Sequence, residues 1–270
     1  MESRITPQSG FGGGIDALWQ YRDLFYFFTW RDVKVKYRQT YLGIAWALVQ
    51  PLLLTGVFSV LFGARMGAHT DIPYPVFAFS GLLLWNFFST GLLAAANGMV
   101  SNSHIIQKVY FPRLIVPISS VLVSAVDFFV ALPALAMLLA CYRWPPRLAS
   151  PAYFTAGLLL AVTTSIGGGS WLSALTVKYR DFRYVLPFLM QLLLFVTPVF
   201  YPIGYLGPTW ARLLLALNPM SGAVTVFRAA LSTAPIDGPL VALSGLSACV
   251  LLVGGLRYFR ATEVYFADLT

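Results

Sequence analysis

The chain has 270 residues, 58% of them hydrophobic and only 10% charged, with a mean hydropathy of +0.74. A soluble domain carries about 25% charged residues, and its core helices keep a polar face that most of the apolar runs here lack. A large soluble helical protein is thereby excluded in favour of a polytopic membrane protein, and the net charge of +8 reads as a topology signal rather than a nucleic-acid footprint.

Residues 1–14 are polar and glycine-rich and read as a disordered N-terminus without the apolar core of a signal peptide. The FGGG at 11–14 follows no strand, so a phosphate-cradling role is not indicated. Residues 15–39 place Leu18, Tyr21, Phe25 and Phe28 at roughly helical spacing among charges. This predicts an amphipathic helix at the cytoplasmic interface, although the alternation in VKVKY weakens it at its end. The basic cluster Arg31, Lys34, Lys36 and Arg38 then runs straight into an apolar segment.

Six spans are expected, at 41–63 (with Pro51 inside), 76–100, 114–141, 151–177, 184–201 and 238–256. Between the last two, residues 202–237 hold two short apolar pieces, 210–217 and 223–231, split by Asn218-Pro219. Neither is long enough for about 30 Å of hydrocarbon at 1.5 Å per residue. The Asn-Pro break predicts a turn, so 203–237 is expected as a re-entrant helical hairpin. The fold class is all-α integral membrane: an interface helix at 15–39, a six-span domain at 40–258 and a cytoplasmic tail at 259–270. With the N-terminus inside, only Arg65, Arg143, Arg147, Arg212 and Arg228 of the 18 lysines and arginines fall in outside segments. That asymmetry is the one expected for cytoplasmic termini.

Catalytic chemistry is sparse. His69 and His104 fall on opposite sides of the membrane and neither has a second histidine at metal-ligand spacing. No acidic pair suggests acid–base work, and Cys141 and Cys249 read as packing residues. The four lysines precede Val35, Tyr37, Val109 and Tyr179, so no Gly-Lys-Ser/Thr phosphate loop exists; if the chain pumps, another subunit hydrolyses the nucleotide. Asp127 sits in mid-span, where a carboxylate needs a partner, a cavity or a proton; both proton coupling and a structural pairing fit. Asn86, Asn97, Gln50 and Gln191 read as helix–helix glue. Trp46, Phe195 and Phe200 lie deeper than the aromatic belt, on lipid-facing or pore-facing surfaces. Lys108, Arg113, Lys178, Arg180 and Arg183 lie in cytoplasmic loops, suited to anionic headgroups, an ATPase or a lipid pyrophosphate.

Several stretches together resemble the ABC-2 type permeases that export polysaccharides, the O-antigen exporters above all, with teichoic acid and capsule exporters as relatives. They are RDVKVKYRQTYLGIAWALVQP, VKYRDFRYVLPFLMQLLLFVTPVFYP, LNPMSGAVTVFR and the tail EVYFADL. The resemblance implies a non-enzymatic permease that pairs with a second copy. Two ATPase subunits carrying the ATP and Mg, with no cofactor in this chain, would dock on it. The substrate would be an undecaprenyl-diphosphate-linked polysaccharide crossing the bacterial inner membrane; an exporter of another lipid-linked polymer, or of drugs or lipids, is the alternative. It points to Trp46, Gln50, Gln191, Phe195 and Tyr201 along the channel. A coupling helix within 102–112 would involve His104, Lys108, Tyr110, Phe111 and Arg113. Arg31, Lys34, Lys36, Arg38, Lys178, Arg180 and Arg183 would meet the pyrophosphate at the entrance. Asp127 matches no motif of the family.

Overall fold

The computed structural model describes residues 19–38, 43–109, 111–145, 150–205 and 209–263; the expected disordered segment at 1–14 and most of the cytoplasmic tail lie outside them. In chain order the helices are α1 (Arg22–Tyr37), α2 (Trp46–Met66), α3 (Tyr74–Ser101), the single turn α4 (Ser103–Ile106) and α5 (Ile115–Cys141). They continue with α6 (Ser150–Lys178), α7 (Phe182–Val196), α8 (Thr209–Ala216), α9 (Pro219–Ala229) and α10 (Gly238–Glu263). No strand occurs among the described residues. The protein is all-helical, and α2, α3, α5, α6 and α10 are each long and apolar enough to cross a membrane.

The bundle is built around α3. Its most apolar window is 78% buried within the protein, against 11% for α2. α3 packs on α5 and α6, with α2, α7 and α9 completing its surroundings. Lipid tails are as apolar as leucine, so close backbone approach drives such packing. The tightest case joins α6 to α10. A Cβ on Gly255 would stand 2.0 Å from the Gly167 carbonyl oxygen, and one on Gly167 would stand 2.5 Å from Leu252 Cα. Only hydrogen fits between these two helices. Asn97 is not interhelical glue; its Nδ2 donates to the Leu93 carbonyl of its own helix at 2.9 Å.

Three expectations change. The alternating VKVKY is helical to Tyr37. The last span runs past 256 to Glu263, because the fully buried Phe259 keeps its final turns packed. The helix expected at 184–201 stops at Val196 with 15 residues and leaves Phe200 and Tyr201 outside it. Thr197 is extended, at ψ 137°, as a residue before proline prefers, and Pro198 cannot donate to the helix. The freed carbonyls are not left bare. Arg228 of α9 donates Nη1 to Pro198 O at 2.5 Å, and Nη2 to Val199 O at 2.5 Å and Phe77 O at 3.0 Å. Its guanidinium lies 3.5 Å from the Phe77 ring centroid, and Gly81 leaves the space it fills.

The Asn218-Pro219 break is where the sequence places it, between α8 and α9. Asn218 Oδ1 accepts the Met220 amide at 3.0 Å and Pro219 opens the helix, the usual division of work at an N-terminus. Asn218 Nδ2 also donates to Thr197 Oγ1 at 2.8 Å, tying α9 to the unwound segment after α7.

Candidate functional site

One end of the bundle gathers most of the basic residues, and a compact apolar cluster organises it. Phe28 of α1 is 1% exposed and packs with Met99, Ile106, Phe111, Ile115, Val177 and Phe259. Six segments therefore meet there. The Phe28 and Phe111 ring centroids are 5.5 Å apart. Polar contacts bind the rim. Arg31 stacks over Phe28 at 4.7 Å and donates to Asp32 Oδ1 at 2.6 and 2.8 Å and to Asn102 Oδ1 at 2.6 Å. Arg113 gives its amide to Glu263 Oε1 at 3.2 Å and its guanidinium to Glu263 O at 2.6 Å. Helix α1, the α3–α5 connection and the end of α10 are thus one mechanical unit.

Within that unit the residues expected for coupling divide. His104 and Lys108 are exposed, Phe111 is buried and Arg113 is held on Glu263. Tyr110 lies outside the described residues. The cations expected at a pyrophosphate divide as well. Arg31 and Lys36 are engaged within the chain. Lys34 and Arg38 are exposed on α1, and Lys178, Arg180 and Arg183 are exposed around the α6–α7 turn. Lys34 and Lys178 lie 5.2 Å over the rings of Trp30 and Tyr179.

The contact that sequence reasoning missed belongs to Asp127. Both the Lys36 ammonium and the Tyr37 hydroxyl reach its carboxylate. The carboxylate lies about 18 Å along α5 from Ile115 at 1.5 Å per residue. Left alone at such depth it costs about 2.5–3.5 kcal/mol on insertion scales; a cation and a phenol meet it instead. Burial, then the hydrogen bond to Asp127 and its charge, push the Tyr37 hydroxyl well above its ordinary value, so it stays a donor. The partners are 91 and 90 positions away, and no local pattern announces them. A cavity of about 230 Å³ beside the cluster is lined by Asp32, Lys36, Thr90, Ser120 and Ser124.

The channel candidates lie on two helices with bare faces. Trp46 and Gln50 are exposed on α2, and Gln191 and Phe195 on α7. α2 also exposes Val57, Val60 and Leu61, and α7 exposes Tyr184, Phe188 and Leu192. Contiguous apolar surface of this kind marks lipid or a protein partner. α2 is joined to the segment that follows α7, where Phe58 stacks on Phe200 at 3.5 Å between centroids. Tyr201 follows, its hydroxyl donating to Val196 O at 2.7 Å. Among the described residues no group of His, Cys, Asp and Glu is placed to hold a metal ion.

The sequence signature described as ABC-2 type transporter matches residues 23–232, from the start of α1 to just beyond α9. The chain belongs to the ABC-2 type transporter family. Its relatives are similar almost from end to end. The O-antigen export system permease protein RfbA of Myxococcus xanthus is 33% identical over 259 residues, covering 94% of this chain and 98% of that one. RfbA of Klebsiella pneumoniae is 24% identical, covering 92% and 95%. The polysialic acid transport protein KpsM of Escherichia coli is 25% identical, covering 86% and 91%. As an ABC-2 type protein with five long apolar helices among its described residues, the chain is a multi-pass membrane protein of a transport family.

Proposed function

We propose that this chain is the channel-forming subunit of an ABC exporter carrying an undecaprenyl-diphosphate-linked polysaccharide of the O-antigen type across the bacterial inner membrane. The near end-to-end likeness to the O-antigen export permease of Myxococcus xanthus carries this reading. Two copies pair through the bare faces of α2 and α7, and Trp46, Gln50, Gln191, Phe195 and Tyr201 line the path, where aromatic faces stack on sugar C–H faces. The basic end faces the cytoplasm with both termini. Two ATPase subunits holding ATP and Mg²⁺ dock on the α4 turn through His104, Lys108 and Tyr110, backed by Phe111 and Arg113. ATP binding displaces that turn, and α1 follows because Phe28 and Arg31 bind it there. The exposed cations Lys34, Arg38, Lys178, Arg180 and Arg183 meet the pyrophosphate, which suits guanidinium forks.

In this reading α7 supplies the span that brings the total to six, the fifth in chain order. Its helix covers only about 22 Å, and the chain continues through residues 197–201 as turn and bend rather than helix. Non-helical backbone at membrane depth requires buried partners, and Arg228 supplies them. The helices α8 and α9 form the re-entrant hairpin on the outer side.

The test is reconstitution with the ATPase in proteoliposomes. Added lipid-linked glycan is expected to raise ATP hydrolysis and to appear in the opposite compartment; hydrolysis indifferent to the glycan would refute the reading. Lys108→Glu is expected to weaken ATPase recovery in pull-downs without lowering the melting temperature, and unchanged recovery would remove the docking assignment. A cysteine at the exposed Leu217 is expected to react with impermeant maleimide from the periplasmic side alone; labelling from the cytoplasm would reverse the hairpin.

A further inference from the structure

We propose that Asp127 is a positioning residue, a latch that holds the end of α1 against α5 and so sets where α2 begins. The observations are geometric. α1 packs chiefly on α5, and its last turn delivers two adjacent side chains, Lys36 and Tyr37, to one carboxylate. The Asp127 side chain is 17% exposed while that of Lys36 is 43% exposed. The acid is therefore fixed in the bundle, and the cation borders the cavity between α1, α3 and α5. Lys36 has somewhere to go when the contact opens; Asp127 does not.

The latch bears on α2 through a short connection. α1 ends at Tyr37 with Arg38 extended at ψ 132°. α2 starts at Trp46 after a single turn at 43–45, and Gly43 there has φ +50°, a conformation that favours glycine. The eight residues 38–45 tether the first turn of α2 to the end of α1 that Lys36 and Tyr37 hold on Asp127. α1 is thus gripped twice, by Phe28 and Arg31 at the α3–α5 connection and by Asp127 further along α5. Force entering at the first grip reaches α2 only if the second holds or is released in step. The exporter role of this arrangement rests on the proposed function; the latch itself does not.

Two measurements separate these layers. In full-length chain with Cys141 and Cys249 changed to serine, spin labels at the exposed Val35 and Leu122 report the α1–α5 distance. A single narrow distribution is expected in the parent. It is expected to broaden in Asp127→Asn and Lys36→Met and to narrow again in the exchange Lys36→Asp with Asp127→Lys. A distribution unmoved by Asp127→Asn would overturn the latch, whatever the protein transports. With the ATPase in proteoliposomes and the lipid-linked glycan as probe, each single variant is expected to lower glycan exported per ATP about tenfold. The double variant Lys36→Met with Asp127→Asn should be no worse than the poorer single one. Multiplying defects would overturn coupling between the two residues. Tyr37→Phe, which keeps both charges, is expected to fold normally and lose about half the export; full export would remove the phenol from the latch.

Discussion

Arg228→Met is expected to destabilise the protein by about 3–5 kcal/mol, because it strips the donors from the Pro198 and Val199 carbonyls, which lie beyond the end of α7, and a bond to the Phe77 carbonyl of α3. An unsatisfied buried polar group costs roughly 1–3 kcal/mol, and the desolvated guanidinium over the Phe77 ring adds about 2 kcal/mol. Some of that is recovered as the segment relaxes. Arg228→Lys is expected to fall between the two, since an ammonium keeps the charge but lacks the flat fork that serves Pro198, Val199 and Phe77 together. Thermal unfolding in detergent, followed by the loss of monodisperse protein, measures both. A methionine variant as stable as the parent would mean that the carbonyls find other donors.

The second large effect is steric. Gly255→Ala is expected to cost about 2–3 kcal/mol by overpacking, and Gly255→Leu more, because the new carbon meets the Gly167 carbonyl at 2.0 Å. Alanine is the better helix former by about 1 kcal/mol, so the clash decides the sign. Gly254 is the control: a Cβ there meets nothing within 4 Å, and Gly254→Ala is expected to be neutral or slightly stabilising. Equal melting temperatures for the two alanine variants would show that α6 and α10 can separate without loss.

Much of the helical layout was legible because hydrocarbon thickness imposes a length that apolar runs either meet or miss. The runs that became α2, α3, α5, α6 and α10 met it, and Asn218-Pro219 marked its turn through ordinary capping chemistry. The end of α7 falls earlier than its hydropathy implies, because Pro198 holds Thr197 extended, an effect that the Thr-Pro pair itself encodes. Arg228 counted only as one more outside arginine: its acceptors are backbone carbonyls, which carry no sequence mark. Asp127 stood out as anomalous, but its partners lie on a distant helix. The family resemblance could not assign the faces of α2, since lipid, neighbour and channel all accept the same apolar side chains.

The thin cover on α2 has a consequence for its surroundings. A helix whose apolar window is only 11% buried within its own chain takes its tilt from what covers it in the assembly, the proposed second copy and the bilayer together, more than from its own chain. Its 21 residues span about 31 Å, close to the thickness of an average hydrocarbon layer, with little length in reserve. α3, boxed in on most sides, has its angle set by its neighbours. Hydrophobic mismatch therefore bears on α2, and with it on the seam between the two proposed copies, before it bears on α3.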